Sequence, residues 1–213
     1  MKISVLRKKI GEKGRWQIFE YEPKEPGETV ASALNNINRT NPGERIIWDC
    51  GCLQKKCGAC AMVINDRPTL ACAVKLADIK GGLRLEALRK FPIIEDLMVD
   101  RTVLRENLLN AREWLEEEAV MNEKKQELLY EASRCLQCGC CLEVCPQFMP
   151  GDKFFGTAAA VPMIRLINCS KGDEKKRLRK EYYRHVYSGC GKSLSCRNIC
   201  PAGIDVDRLL VSR

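Results

Sequence analysis

The sequence predicts an α+β protein of two domains, the first rich in strands and the second helical. The chain of 213 residues is long enough to bury two small hydrophobic cores. Apolar runs of strand length, separated by turn residues, occupy the chain up to about residue 95. Beyond about residue 98 the apolar side chains recur at helical spacing instead. We therefore place the domains at 1–96 and 97–213, with the change of pattern between Pro92 and Arg101.

The first domain is expected to hold a small mixed sheet packed on one helix. The helix is predicted over about 28–38, because Val30, Ala33 and Leu34 fall on one helical face. The strands are predicted between Gly, Pro and Asn-Asp turn signals, at ISVLRK, RWQIFEYE, RIIW, CAMVIND, TLACAV and LRLEAL.

The second domain is expected to be helical throughout. Leu104, Leu108 and Leu115 share a helical period, and further helices are predicted at KKQELLYEASRCL, AAAVPMIRLI, KKRLRKEYYRHV and IDVDRLLV. The stretch 175–184 carries six basic side chains, so it is either a solvated helix or a surface for lipid headgroups or an anchor subunit. The single histidine, His185, follows this charged stretch and is expected to be solvated.

The cysteines point to metal chemistry. Fourteen cysteines fall mainly in three tight groups, at 50–72, 135–145 and 190–200, rather than spreading as a disulfide framework. Only a short apolar run precedes Arg7, and no apolar stretch approaches about 18 residues, so we expect neither a secretion signal nor a membrane span, and a reducing compartment. The net charge of +8 is shared about evenly by the two halves, which is not the pattern of a nucleic-acid-binding patch.

The first group has the spacing of a 2Fe-2S site. Cys52, Cys57, Cys60 and Cys72 follow the C-x4-C-x2-C pattern of plant-type ferredoxins with a distant fourth cysteine. Cys50 is an alternative first ligand, although the four-residue gap favours Cys52. A structural zinc site is the other alternative, which the long first gap disfavours.

The second and third groups predict two interlocked clusters. The run CLQCGCCLEVCP has the bacterial ferredoxin spacing, in which three cysteines bind one cluster and the fourth binds another. The third group supplies the partners in CGKSLSCRNICP. The crossing rule assigns one 4Fe-4S cluster to Cys135, Cys138, Cys141 and Cys200, and leaves Cys145, Cys190 and Cys196 for the other cluster.

The second of these sets lacks one ligand. Ser193 stands where a complete ferredoxin run has cysteine, and three thiolates suit a 3Fe-4S cluster. A 4Fe-4S cluster with serine or water as fourth ligand is the alternative. Cys50, Cys140 and Cys169 are left over from these sets, and we expect Cys140 and Cys169 to be small buried residues packed beside the clusters.

This order of clusters resembles the iron-sulfur subunit of the succinate dehydrogenase and fumarate reductase family. The similarity covers nearly the whole chain and extends to INDRPTLAC, FPIIEDLMVD, CPQF and DKFFGTAAA, which resemble the fumarate reductase branch most closely. The resemblance implies a β-grasp 2Fe-2S domain followed by an α-helical ferredoxin domain. It also implies an oxidoreductase subunit with no catalytic residue of its own, since the succinate or fumarate chemistry belongs to a partner flavoprotein.

The resemblance further implies the partners. They are an FAD-containing flavoprotein and one or more membrane-anchor subunits, with a cytochrome b type as one option, so that the chain lies peripherally at the cytoplasmic face of the membrane. Electrons pass singly between FAD and quinone. Members that reduce ubiquinone often carry Trp and His where this chain has Met149 or Pro150 and Gly191. Menaquinone, a different anchor or a soluble acceptor therefore remain open, as do another activated alkene as substrate and a thiol partner.

Overall fold

The chain forms two units, Met1–Asp100 and Arg101–Arg213. A computed structural model describes residues 1–120 and 123–211. The change of unit lies within the Pro92 to Arg101 stretch that the sequence analysis identified, four residues beyond the predicted boundary of 96 and 97.

The first unit is built on a mixed five-stranded sheet. Its strands are β1 (Lys2–Arg7), β2 (Arg15–Glu20), β3 (Ala61–Ile64), β4 (Arg67–Leu70) and β5 (Leu83–Glu86). Their order in the sheet is β2-β1-β5-β3-β4. Strands β1 and β5 are parallel, and the other neighbours are antiparallel. The sheet confirms the mixed architecture predicted for this half of the chain.

Side-chain alternation and turn chemistry explain these strands. Ile3 and Val5 on β1 are fully buried, and the residues between and beside them are more exposed, as expected of a strand with one face on the core. Strand β3 is buried along its whole length, so both of its faces are covered. Asn65 and Asp66 join β3 to β4 with φ angles of 46° and 64°, the left-handed pair that a two-residue hairpin requires.

The helix of this unit, α1 (Val30–Thr40), begins at a capping box. Thr29 accepts a hydrogen bond from the backbone N–H of Ser32, and the Ser32 hydroxyl accepts one from the backbone N–H of Thr29. The apolar side chains buried from this helix include Val30 and Leu34. The predicted helix is therefore present, and it begins two residues later than expected.

Of the predicted strands, RIIW was wrong and TLACAV was wrong beyond Leu70. The run RIIW forms no strand: the backbone N–H of Ile46 donates to the Asn38 side chain at 2.7 Å, and that of Ile47 donates to Asp96 Oδ2 at 2.9 Å. Side chains thus replace a neighbouring strand as backbone partners. The run TLACAV is strand only to Leu70 and then turns into a 3-10 turn, Ala71–Ala73.

A buried ion pair fixes the end of this unit. Arg7 Nε lies 2.8 Å from Asp96 Oδ1, and the two side chains are 14% and 3% exposed. Asp96 sits at the turn between β6 (Ile93–Glu95) and β7 (Met98–Val99), a short antiparallel pair that the sequence did not predict. The carboxylate therefore links β1, the RIIW segment and this turn through charge-assisted hydrogen bonds.

The second unit contains six helices in its described residues. They are α2 (Thr102–Asn110), α3 (Gln126–Ser133), α4 (Cys140–Glu143), α5 (Gly156–Asn168), α6 (Gly172–Tyr182) and α7 (Val206–Val211). Helix α5 is apolar nearly all round and contacts the other five, so it forms the centre of this unit's hydrophobic core. The prediction that this half is built from helices is confirmed, although α2 ends at Asn110, before Leu115, and irregular segments separate the helices.

The expectation for His185 was wrong. Helix α6 continues into a π-helical segment, Tyr183–Tyr187. In this segment the His185 side chain points toward the interior of the unit. The imidazole stacks on Phe155 with ring centroids 4.1 Å apart, and its side chain is 13% exposed. Its Nδ1 lies 3.0 Å from the Lys153 carbonyl oxygen. The histidine therefore packs against the segment leading into α5 rather than facing solvent.

Glu113 is a buried carboxyl beyond the end of α2. Arg112 adopts a left-handed conformation with φ 49°, and the Glu113 N–H then bonds back to the Leu108 carbonyl oxygen. Part of the residue is exposed, but both carboxyl oxygens are buried and have no hydrogen-bond partner among the described residues. This burial raises the pKa of Glu113 to about 9.

Candidate metal centres

The loop that carries Cys52 and Cys57 directs backbone N–H groups at sulfur. The Cys52 Sγ accepts hydrogen bonds from the N–H groups of Gln54 and Lys56, each at 3.3 Å. The Cys52 N–H lies 3.4 Å from the Cys57 Sγ. The hydrogen bonds that the Cys52 sulfur accepts, from Gln54 first and then from Lys56, lower the pKa of Cys52 to about 7. The loop therefore stabilises the thiolate form, which is the form that ligates iron.

Cys60 and Cys72 form the inner part of the same site. Their sulfurs lie 3.4 Å apart, and both residues are buried. The N–H of Lys55 reaches the Cys72 Sγ at 3.3 Å, which connects this inner pair to the loop. Burial raises the pKa of Cys60 to about 12. The site thus has a buried pair, Cys60 and Cys72, and two outer cysteines, of which Cys52 is partly buried and Cys57 is exposed.

Unusual backbone conformations shape this loop. Leu53 and Lys55 have φ angles of 54° and 61°, and Gly58 has 76°. Alternation of left-handed residues with others turns successive N–H groups to one side, which makes an anion-binding concavity. A Cβ at Gly51 would lie 3.2 Å from the Cys57 Sγ, so glycine permits the backbone to approach that sulfur closely.

Cys50 lies outside this arrangement of hydrogen bonds. Its side chain belongs to an exposed residue, whereas Cys52 accepts two backbone N–H groups.

The second group and Cys200 surround one cavity. Three cysteines before and within α4 contribute to its wall, and Cys200 joins them from the C-terminal segment. The rest of the wall is mainly apolar and includes Ala158, Val161, Ile204 and Val206. The four predicted 4Fe-4S ligands that line it are Cys135, Cys138, Cys141 and Cys200.

The environments of these thiols differ. Burial raises the pKa of Cys135 to about 11 and raises that of Cys141 as well. A hydrogen bond from the Cys140 thiol is the main reason that the pKa of Cys138 is lowered to about 7. Cys140 is fully buried, and its own pKa is raised because its proton is held by Cys138. The role of Cys140 as a donor to Cys138 was not expected from the sequence.

Cys145, Cys190 and Cys196 also lie near one another. The pKa of Cys196 is raised, first by burial and then by the neighbouring Cys145 and Cys190 thiols, while the Thr157 hydroxyl lowers it by a hydrogen bond. Ser193 is exposed, and its Oγ lies 3.2 Å from the Ser195 hydroxyl. The structure therefore places the Cys145 and Cys190 thiols near that of Cys196, and it gives Ser193 a serine partner.

No three Cys, His, Asp or Glu side chains within residues 1–120 and 123–211 converge on a point where one metal ion would bind. The thiols instead line the wall of a cavity, as in the case of Cys135 and Cys200. A 4Fe-4S cluster needs such spacing because each of its four cysteines binds a different iron atom. The donor set, thiolates supported by backbone N–H groups in a largely apolar wall, is the chemistry that iron-sulfur clusters require.

Sequence reasoning missed Gln137 as a member of this site. Its side-chain Nε2 lies 3.3 Å from the Cys135 Sγ, and the residue lines the same cavity. Its position between two predicted ligand cysteines, in the C-L-Q-C run, was the available signal.

Comparison with known proteins agrees with this arrangement. Residues 2–106 match the family model of the 2Fe-2S iron-sulfur cluster binding domain, and residues 131–204 match that of the 4Fe-4S dicluster domain. The chain is similar to the succinate dehydrogenase iron-sulfur subunit of Bacillus subtilis, with 34% identity over 87% of this chain and 80% of the relative. It is also similar to the fumarate reductase iron-sulfur subunit of Escherichia coli O6:H1, with 29% identity over 88% of this chain and 80% of the relative.

The fold has a counterpart among solved structures. A chain of the Mycobacterium smegmatis Sdh1 complex superposes with a TM-score of 0.84 over 99% of this chain and 92% of that one, at 21% identity. This likeness confirms the predicted fold class, a 2Fe-2S ferredoxin domain followed by a helical ferredoxin domain.

Fold and thiol groups together define a two-domain iron-sulfur protein of the electron-transfer class. The chain belongs to the family of succinate dehydrogenase and fumarate reductase iron-sulfur subunits, which are parts of oxidoreductase complexes. Among its described residues, none of the helices has the length and apolar character needed to cross a membrane.

Proposed function

We propose that this chain relays single electrons between the FAD of a flavoprotein subunit and quinone at a membrane-anchor subunit, in a succinate dehydrogenase or fumarate reductase complex. The observation that carries the proposal is the cavity lined jointly by the second cysteine group and Cys200. Because Cys200 joins that set, Cys145, Cys190 and Cys196 remain as a set of three. This division of four and three thiols is the one that the relay needs.

We assign the ligands as follows. A 2Fe-2S cluster would be held by Cys52, Cys57, Cys60 and Cys72. A 4Fe-4S cluster would be held by Cys135, Cys138, Cys141 and Cys200, and a 3Fe-4S cluster by Cys145, Cys190 and Cys196. The two N–H groups that reach the Cys52 sulfur support Cys52, rather than Cys50, as the first ligand.

Such clusters would split the two-electron chemistry of a flavin into one-electron steps. The protein's contribution is to bind and tune. Backbone N–H groups of Gln54, Lys55 and Lys56 stabilise negative charge on sulfur at the first site. Apolar walls at the second site, including Val161 and Ile204, exclude water from the thiols.

An open cavity beside Cys190 is a suitable place for the lipophilic acceptor. It has a volume of about 570 Å³ and includes Tyr182, Val186, Leu194 and Leu210 in its wall. These side chains are apolar or aromatic, as expected of a site for a quinone ring. Gly191 stands where many ubiquinone-reducing members carry His. A Cβ at Gly191 would meet Gln147 Nε2 at 2.9 Å, so Gln147 occupies the space that a larger residue would need. We propose menaquinone as the quinone, since the Trp and His of many ubiquinone-reducing members are absent here.

The proposed location is the cytoplasmic face of the membrane, through an anchor subunit. Helix α6 presents Lys176, Arg179 and Lys180 as exposed cations. Arg177 does not belong to this exposed set, since its guanidinium donates to the carbonyl oxygens of Arg112 and Trp114. The exposed cations suit anionic lipid headgroups or an acidic anchor surface.

Electron paramagnetic resonance of the anaerobically purified complex tests the proposal. We expect a three-iron signal in the oxidised state and a 2Fe-2S signal on reduction, and we expect succinate to reduce the clusters. Lack of a three-iron signal in intact oxidised complex would contradict the assignment to Cys145, Cys190 and Cys196. Clusters that are present but unresponsive to succinate and fumarate would instead indicate a flavoprotein partner acting on another alkene, or a thiol partner.

A further inference from the structure

Helix α5 contains a proline that leaves one carbonyl group without its helical partner. In a regular α-helix the N–H of residue 162 would donate to the carbonyl oxygen of residue 158. Pro162 has no N–H, so the Ala158 carbonyl lacks that donor. The Gln137 side chain takes its place, with Nε2 at 2.8 Å from the Ala158 oxygen. A proline in one helix thus creates an acceptor for a glutamine in the cysteine loop.

This contact fixes the orientation of the glutamine amide. A carbonyl oxygen only accepts, so the amide atom facing Ala158 must be the NH2 group. Its second hydrogen is then available to the Cys135 Sγ, which lies 3.3 Å from the same nitrogen. The Gln137 Oε1 is buried and has no hydrogen-bond partner among the described residues, so these two contacts hold the amide. The backbone at Gln137 is left-handed, with φ 50°, which places its side chain beside the cysteine two residues earlier.

We propose that Gln137 is a positioning residue that tunes the redox potential of the site built by Cys135, and that Pro162 keeps it in its donating orientation by freeing the Ala158 carbonyl. The inference rests on the proposed 4Fe-4S assignment. A reduced cluster carries one more negative charge than an oxidised one. A donor to a ligand sulfur therefore stabilises the reduced state more and raises the potential.

The test is a redox titration of the purified complex, in which electron paramagnetic resonance monitors the 4Fe-4S signal and gives its midpoint potential. Gln137→Met keeps an unbranched side chain of similar length and removes both donor hydrogens. We expect the equilibrium constant for reduction to fall two- to tenfold, and a tenfold fall lowers the midpoint by about 59 mV. Gln126→Met, at an exposed position of α3, is the matched control and should leave the midpoint unchanged.

Pro162→Ala tests the second part. It restores an N–H that competes with Gln137 for the Ala158 carbonyl, so the midpoint should fall by less than in Gln137→Met. In the double variant the proline change should add nothing, because the donor it acts through is gone.

An unmoved midpoint in Gln137→Met would overturn the inference while leaving the relay proposal intact. Equal effects of Pro162→Ala with and without Gln137 would overturn the role of the proline. Absence of a 4Fe-4S signal in the unmodified complex would overturn the cluster assignment itself.

Discussion

Replacement of Glu113 by glutamine should make the second unit more stable and remove much of its pH dependence. Glutamine keeps the shape of the side chain but cannot ionise. In the folded chain the Glu113 carboxyl, with a pKa of about 9, is protonated at neutral pH. In the unfolded chain it ionises near its ordinary value of 4.5. Ionisation of this carboxyl therefore stabilises the unfolded state at neutral pH, and it does not stabilise the folded state.

The magnitude follows from the interval between the two values. About 2.5 pH units lie between 4.5 and 7, and each contributes about 1.4 kcal/mol, so burial of the carboxyl costs about 3 kcal/mol at pH 7. Because the pKa is raised on folding, the penalty is absent below about pH 4.5 and grows until about pH 9. At neutral pH the variant should melt on the order of 10 °C higher.

The assay measures the apparent melting temperature of the anaerobic holoprotein by circular dichroism. It is repeated at several pH values from 5.5 to 8.5, always at the same scan rate. The difference between Glu113→Gln and the unmodified chain should widen steadily as the pH rises. Glu118→Gln, at an exposed position of the same segment, controls for the loss of one negative charge. A difference in melting temperature between Glu113→Gln and the unmodified chain that stays constant across this pH range would refute the reasoning.

Three further predictions concern the clusters and the first unit. Cys50→Ser should leave the 2Fe-2S signal of the reduced protein unchanged, while Cys52→Ser should abolish or alter it; the reverse pattern would reassign the ligand. Ser193→Cys should replace the oxidised three-iron signal with a 4Fe-4S signal seen on reduction, and an unchanged three-iron signal would count against the missing-ligand argument. Asp96→Asn should destabilise the first unit by about 3–5 kcal/mol, because the buried Arg7 loses its counter-charge; an unchanged melting temperature would contradict this.

The cysteine groups could be predicted from the sequence because their chemistry is local. In the proposed assignment three ligands of one cluster, Cys135, Cys138 and Cys141, come from one short segment, so their spacing can be read directly from the sequence. The mixed sheet was predictable for a similar reason, since apolar alternation has a period of two on every strand.

The features that the sequence did not predict depend on tertiary partners. RIIW has the composition of a strand, yet its Ile46 and Ile47 N–H groups donate to the side chains of Asn38, eight residues away, and Asp96, 49 residues away. The inward orientation of the His185 side chain depends on a π-helical turn and on stacking against Phe155. The contact between Gln137 and Cys135 involves neighbours in sequence, but its orientation depends on a carbonyl freed in another helix. The partners that decide these conformations lie between eight and 49 residues away along the chain, and a pattern of neighbouring residues does not identify them.

The interlocking of Cys200 with the second cysteine group has a consequence for biosynthesis. The four thiols of the first site lie within residues 52–72 and are complete once that segment has left the ribosome. The cavity of Cys135, Cys138 and Cys141 stays open until residue 200 has been made. Since domains generally fold in order of synthesis, the first centre can be loaded early, while the later ones await nearly the whole chain. A cluster bound there also closes a loop of some sixty residues, so it acts as a crosslink that restricts the unfolded chain.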